Sequence, residues 1–170
     1  RSHAVGDLLI LQQFAEKSSL GFMWADLQGS IIFANASLCR FLHEDRRKIL
    51  GKDLRLYYSP KNQIKLVENI FPQILKQGSW SGEMELQSVN QKITPTLHDF
   101  FLIQSTRGQP LYFASIITDI TERKKLEEVL KGSNLALQAT EQRLTMSNLC
   151  LKESEEKFRM ISEQTILGII

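Results

Sequence analysis

The chain has 170 residues, of which 42% are hydrophobic and 24% charged, a composition typical of a folded globular protein with room for one domain and an extension. The formal net charge of +2 gives no field strong enough to imply nucleic acid or an anionic membrane as a partner. No apolar run approaches the ~20 residues of a membrane-spanning helix, and the well-separated Cys39 and Cys150 are expected to be free thiols in a reducing cytoplasm.

The first third of the chain predicts a helix, a β-hairpin and a second helix. Asp7–Lys17 has the spacing of a short amphipathic helix. Gly21–Phe33 has the alternation of a hairpin whose turn carries Asp26 and Gly29. Asn35 suits the N-cap of the second helix. The apolar face of that helix would consist of Leu38, Phe41 and Leu42.

A longer helix and three strands are predicted next. Within Ser59–Lys76, apolar residues recur at helical spacing, and Pro72 predicts a kink or an end there. These apolar residues are Ile64, Val67, Phe71, Ile74 and Leu75. Three runs rich in aromatic and β-branched residues then predict strands. The runs are Trp80–Val89, Ile93–Ser105 and Leu111–Thr118.

The last strand passes directly into a helical tail. At this point Asp119 is placed to cap the first amides of the helix, and Glu122, three residues later, is placed to reach back, as in a capping box. From Leu126 onward, charges mix with leucines at helical spacing. The sequence therefore predicts a strand joined without a loop to a long helix.

Two short motifs carry a resemblance to a known family. The run D-I-T-E-R-K at 119–124 resembles the ending of PAS sensory domains, and Trp80-Ser81-Gly82-Glu83 resembles the W-x-G-E of the corresponding strand. The resemblance covers residues 8–127. It implies an α+β PAS fold, a five-stranded antiparallel sheet with helices on one face, flanked by an N-terminal helix and a long C-terminal coiled-coil helix. It also implies that Asp119, Thr121 and Glu122 form the signal-transfer junction.

A PAS fold would enclose an apolar cavity between the long helix and the sheet. Eight side chains are the candidates for lining it: Leu42, Leu54, Ile64, Val67, Phe71, Met84, Phe101 and Phe113. Either they surround a small apolar ligand or they simply fill the core. Apolar residues also alternate on the opposite face of the strands, so we expect the initial helix or a partner subunit to cover that outer face.

The tail has a seven-residue period, which predicts a parallel coiled-coil dimer. The apolar positions of this period form the seam of the predicted dimer: Leu130, Leu137, Leu144, Leu151 and Phe158. The companion positions three residues later are Ser133, Thr140, Ser147 and Ser154, so the contact would be modest. The alternative is a single helix folded back on the domain.

A weak internal repeat suggests that another domain follows. Phe14–Met23 aligns with Ile161–Ile170, sharing Glu, Leu and Gly at a constant offset. The predicted organisation is a flanking helix at 1–18, a PAS domain at 19–120, a signalling linker helix at 121–158, and the start of a second, truncated PAS domain at 159–170.

The sequence contains few residues that would support cofactor binding or catalysis. Cys39-Arg40-Phe41-Leu42 matches a photoreceptor flavin motif superficially, but Leu54 stands where the photoactive cysteine would be. The long helix lacks a histidine for haem, which leaves His98 as the better metal candidate over His43 by elimination. We therefore expect no cofactor and no metal, and we expect Glu83, Glu85 and the basic Arg123–Lys125 to be solvated faces.

Together these features predict a cytoplasmic, homodimeric PAS sensory or relay module without catalytic activity of its own. The expected parent is a sensor histidine kinase of a two-component phosphorelay, with the downstream PAS and output domains in the same chain. The alternatives are the input module of a cyclic-dinucleotide synthase or phosphodiesterase, and a dimerisation scaffold that senses nothing. We expect no contact with nucleic acid or membrane.

Overall fold

The computed structural model of the protein describes the backbone of residues 2–167 and the side chains of residues 9–163. The described residues divide into two compact units, with the boundary between Lys124 and Lys125. The first unit contains all the strands, and the second consists of the greater part of one long helix.

Five antiparallel strands form one sheet in the order β2-β1-β5-β4-β3. The strands are β1 Gly21–Ala25, β2 Ile31–Ala34, β3 Ser79–Gln87, β4 Ile93–Gln104 and β5 Pro110–Asp119. The hairpin and the three later strands predicted from the sequence are thus confirmed. Strand β5 is central, paired with β1 on one edge and β4 on the other.

Residues 2–167 also contain six α-helices. They are α1 Ser2–Lys17, α2 Ala36–Leu42, α3 Arg46–Ile49, α4 Pro60–Lys65, α5 Phe71–Gln77 and α6 Thr121–Leu167. A 3₁₀ turn at Leu54–Tyr57 precedes α4. Helix α1 begins five residues before the predicted Asp7, and α6 begins where the junction motif predicts.

A π-helical turn, Leu66–Ile70, joins α4 to α5 and replaces the kink or end predicted at Pro72. Proline has no N–H to donate to the carbonyl four residues earlier. The turn widens instead, and the N–H of Phe71 donates to the carbonyl of Leu66, five residues back. The chain therefore stays helical through Pro72.

The core lies between the helices and one face of the sheet. Its helical contribution includes the buried Leu38, Leu42, Ile49, Leu66, Ile70 and Ile74. Its sheet contribution includes the buried Met23, Met84, Leu86, Phe100, Phe113 and Ile117. Helices α2, α3 and α5 thus pack on one face of the sheet.

The outer face of the sheet retains accessible aromatic side chains. Phe101 and Tyr112 are each 37% exposed there, so α1 does not cover this part of the face. Helix α1 packs against α2, and its own Phe14 is 73% exposed. A partner subunit as the cover of the outer face stays a prediction.

The side chain of Asn35 ties together three elements of the first unit. Its Oδ1 accepts hydrogen bonds from the N–H groups of Phe22 (2.9 Å) and Leu38 (3.0 Å). Its Nδ2 donates to the carbonyls of Ala15 (2.6 Å) and Leu20 (2.9 Å). The amide is fully buried, and both its donors and both acceptor positions are used. The predicted N-cap is confirmed, and it also anchors the C-terminal end of α1.

We predict that Asn35→Asp destabilises the fold by about 1–3 kcal/mol. Aspartate retains the acceptors for Phe22 and Leu38 but places a carboxylate against the carbonyls of Ala15 and Leu20. Urea unfolding measures the loss, with Asn69→Asp at an exposed helical position as the matched control. Equal stability of the two variants would contradict the anchoring role of Asn35.

Candidate functional site

Five of the eight predicted cavity residues contribute to the core. Leu42, Leu54, Met84 and Phe113 are buried. Phe71 is half-buried and stacks on Phe113 with ring centroids 4.8 Å apart. Helix α5 thereby packs directly against the central strand of the sheet.

The other three predicted cavity residues are exposed, and their prediction was wrong. Ile64 and Val67 are 57% and 46% exposed because the buried stripe of the helix runs through Leu66, Ile70 and Ile74 instead. The apolar pattern fits either stripe, so the phase of the helix was misread. Phe101 faces outward because Phe100, its neighbour on β4, occupies the core.

The space between the helices and the sheet is filled by side chains. The eight residues around its centre are Met23, Leu38, Leu42, Leu54, Tyr57, Tyr58, Leu86 and Ile117. The gap that these described side chains leave does not admit a water molecule. A ligand at this position would have to displace side chains of the core.

His98 forms the polar centre of this core. It lies on β4, fully buried, with its ring stacked on Phe100 at 5.3 Å. Its Nε2 is 2.8 Å from Oγ1 of Thr96, and its Nδ1 is 3.5 Å from the hydroxyls of Tyr58 and Ser115. Burial lowers the pKa of His98 to about 3, so the imidazole is neutral in the folded protein.

The hydrogen bonds of Thr96 define the tautomer of His98. The Thr96 hydroxyl donates its single proton to the carbonyl of Met84 at 2.9 Å. Its oxygen therefore accepts from the imidazole, which places the proton of His98 on Nε2. Nδ1 is left as an acceptor facing Tyr58 and Ser115 over long distances.

His98 was a candidate from the sequence, but its hydrogen-bond partners were not predicted. Thr94, Thr96 and His98 alternate along β4 in phase with Phe100, and this alternation was the available signal. A polar series on the buried face of a strand predicts an internal hydrogen-bond network, because buried polar groups are nearly always paired.

The junction between sheet and helix, residues 119–124, is held by three sets of contacts. Asp119 Oδ1 accepts from the N–H (2.8 Å) and the hydroxyl (2.6 Å) of Thr121. Ile120 is buried, and its N–H donates to the carbonyl of Pro95 on β4 at 3.0 Å. Asp119 therefore caps the first amide of the helix as predicted, and the return contact of Glu122 stays a prediction.

Glu83 supplies the third set of contacts and departs from its predicted role. Its carboxylate pairs with Arg123 and lies 2.5 Å from Nζ of Lys124. These hydrogen bonds, that of Lys124 first, hold the pKa of Glu83 below its usual value. Glu83, Arg123 and Lys124 are thus ion-paired across two elements, whereas the sequence suggested separate solvated faces.

Other carboxylates in the first unit are also paired. Burial opposes ionisation of Glu44, but hydrogen bonds from Lys52 and Tyr57 outweigh it and lower the pKa of this residue. The pKa of Asp53 is lowered chiefly by hydrogen bonds that the Arg55 side chain donates to it. Among the described residues, no three His, Cys, Asp or Glu side chains cluster closely enough to hold a metal ion.

The seam residues all lie in α6, and all five are exposed. Their role in a dimer stays a prediction, as do the domain boundaries. The proposed start of a second PAS domain includes Gly168–Ile170, which lie outside the described residues. No described helix has the length and hydropathy needed to span a bilayer.

Comparison with known protein families decides what this sheet and junction are. The sequence profile of the PAS domain matches residues 19–122. The chain belongs to the PAS domain family. Its five-stranded sheet, its helical layer and the helix that follows the last strand are those of a PAS domain.

One curated relative is the probable diguanylate cyclase DgcE of Escherichia coli (strain K12). It is 27% identical over 115 residues, which is 67% of this chain. The matched part spans only 10% of the relative.

Solved structures share the fold. The PAS domain of a Colwellia psychrerythraea protein has a TM-score of 0.65 at 19% identity, covering 68% of this chain and 98% of its own. An RNA-binding light-oxygen-voltage receptor has a TM-score of 0.63 at 15% identity, covering 75% of this chain and 37% of its own. At these identities the likeness concerns the fold alone.

We predict that protonation of His98 in the unfolded chain lowers the free energy of unfolding by about 2 kcal/mol as the pH falls from 7 to 5. Its pKa is about 3 when folded and about 6.5 when unfolded, so only the unfolded chain binds the proton. The stabilisation is therefore complete above pH 6.5 and falls by about 1.4 kcal/mol per unit below it. Urea unfolding at both pH values measures this change.

His98→Gln, which cannot titrate, serves as the comparison and should flatten the dependence over this window. Glu44 and Asp53 do not interfere, because stability from a carboxylate of lowered pKa is lost only as the pH falls through the acid range. The same slope in the variant as in the native chain would contradict a buried neutral His98.

Proposed function

We propose that this PAS domain is a cytoplasmic relay module that passes a change in its core or subunit interface through the junction to α6. The observation that carries the proposal is the absence of a loop between the central strand β5 and α6. Asp119 belongs to the strand and caps the helix. A displacement of β5 therefore becomes a displacement of the first helical turn.

The filled core supports a relay without a resident chromophore. Leu54 and Tyr58 are buried around the centre of the core, and His98, the buried histidine of the described residues, is held as a neutral hydrogen-bonding group. We expect neither haem nor flavin. A small apolar ligand would enter by displacing side chains, which would itself move the sheet. The module has no catalytic role in this proposal.

We further propose that the working form is a homodimer with α6 as one of its contacts. The exposed leucines at seven-residue spacing provide an apolar stripe for a second copy. The hydroxyl of Thr140, at a polar companion position, donates to the carbonyl of Ala136 at 2.9 Å, so it enters the contact with its proton already bonded. Such a seam would favour two arrangements of similar free energy over one tight zipper.

The parent protein is expected to carry its output domain in the same chain. A sensor histidine kinase was expected from the sequence, with the input module of a cyclic-dinucleotide synthase or phosphodiesterase as the alternative. The relationship to a probable diguanylate cyclase favours the alternative by one specific observation. Measuring autophosphorylation and cyclic-dinucleotide synthesis in the parent protein separates the two.

Filling the seam tests the relay. Thr140→Leu combined with Ser147→Leu should lower the dissociation constant of the dimer at least about tenfold, because each leucine adds apolar area to the contact. In the parent protein the same pair should fix α6 in one arrangement and abolish the response of the output to the stimulus. Analytical ultracentrifugation measures the first effect, and the output assay measures the second.

Gln138→Leu combined with Thr145→Leu is the matched control, because both positions are exposed and lie outside the seam. It should leave association and response unchanged. A parent protein that responds normally with the seam filled would overturn the relay. An unchanged dissociation constant would overturn the dimer contact.

A further inference from the structure

The structure assigns a positioning role to Glu83: we propose that its carboxylate couples strand β3 to the first turn of α6, as a second route into the helix besides β5. The inference rests on the proposed relay and deepens it. The sequence placed Glu83 in the W-x-G-E motif and on a solvated face but did not predict its ion pairs, because its partners follow it by about forty residues in the chain.

The contact joins the edge of the sheet to the helix. Strand β3 is an edge strand, two strands away from β5 in the sheet order. Glu83 lies opposite Leu97 of β4, on the outer face. Its two carboxylate oxygens are divided between the helix residues, Oε1 pairing with Arg123 and Oε2 with Lys124.

The divided contact makes the carboxylate sensitive to the orientation of the helix. Arg123 and Lys124 are adjacent, so their side chains leave the helix about 100° apart. One carboxylate pairs with both over a narrow range of helix rotations. A sliding of β3 relative to β5 would therefore break one pair before the other and bias the rotation of the first turn.

The exposure of the contact suits a reversible role. The side chains of Glu83, Arg123 and Lys124 are 44%, 47% and 40% exposed, and ion pairs in such positions are weak and screened by salt. The contact can be made and broken without disturbing the buried core. It would thus set the position of the helix rather than the stability of the domain.

Hydrogen exchange of the full chain tests the proposal. Glu83→Lys should speed the exchange of amides from Lys124 to Val129 by about threefold or more, because the first turns lose one attachment and gain a like charge. The midpoint of thermal unfolding should change little. Glu85→Lys, the same substitution two residues along the same face of β3, is the matched control and should leave these amides unchanged.

Reversing the charges of the partners provides the rescue. Adding Arg123→Glu and Lys124→Glu to Glu83→Lys should restore slow exchange of the helix amides, and 1 M salt should speed exchange in the native chain. Equal effects of Glu83→Lys and Glu85→Lys, or no rescue, would overturn the role of Glu83. The seam variants test the relay separately. A relay that works without the Glu83 contact would therefore be distinguishable from a relay that fails.

Discussion

The central position of strand β5 is the constraint on which the structure of the first unit depends. Hydrogen bonds to β1 and β4 hold both of its edges, and its inner face carries Phe113, Ser115 and Ile117 into the core. Its last residue then caps α6. A strand fixed on both edges and on one face has few independent motions, so its displacement involves the whole sheet.

The core beneath this strand combines tight packing with one buried polar network. Phe71 stacks on Phe113 from the helical layer, while His98 holds a hydrogen bond to Thr96 and faces two hydroxyls at longer range. Packing of this kind transmits small displacements, because close-packed interiors have few voids to absorb them. The long contacts at Nδ1 are the loosest polar contacts in the network and offer room for rearrangement.

Local signals in the sequence predicted most of the fold. The cap at Asn35, the three later strands and the passage from Asp119 into α6 each depend on neighbouring residues, and all are confirmed. The lining of the core was predicted less well. Ile64 and Leu66 fit different helical stripes equally well, and Phe100 and Phe101 fit either face of β4, so tertiary packing alone selects between them.

Contacts between residues distant in the chain were not predicted from the sequence. The alternating pattern of its strand predicts that Glu83 is a solvated carboxylate. Only the fold of the chain brings Arg123 and Lys124 to it. The sequence predicts Asn35 as a helix cap. Its additional hydrogen bonds to the carbonyls of Ala15 and Leu20 depend on the position of α1 and were not predicted. Both side chains join elements that no local pattern connects.

The coupling of the core to α6 is tested most directly by recording amide chemical shifts of the junction after a substitution in the first half of β5. Phe113 lies eight residues before Thr121, about 26 Å along an extended strand and beyond direct contact. Phe113→Leu should shift the amides of residues 121–124, whereas Ile49→Val, a buried change on α3, should not. Shifts confined to the neighbours of Phe113 would contradict coupling between the core and α6.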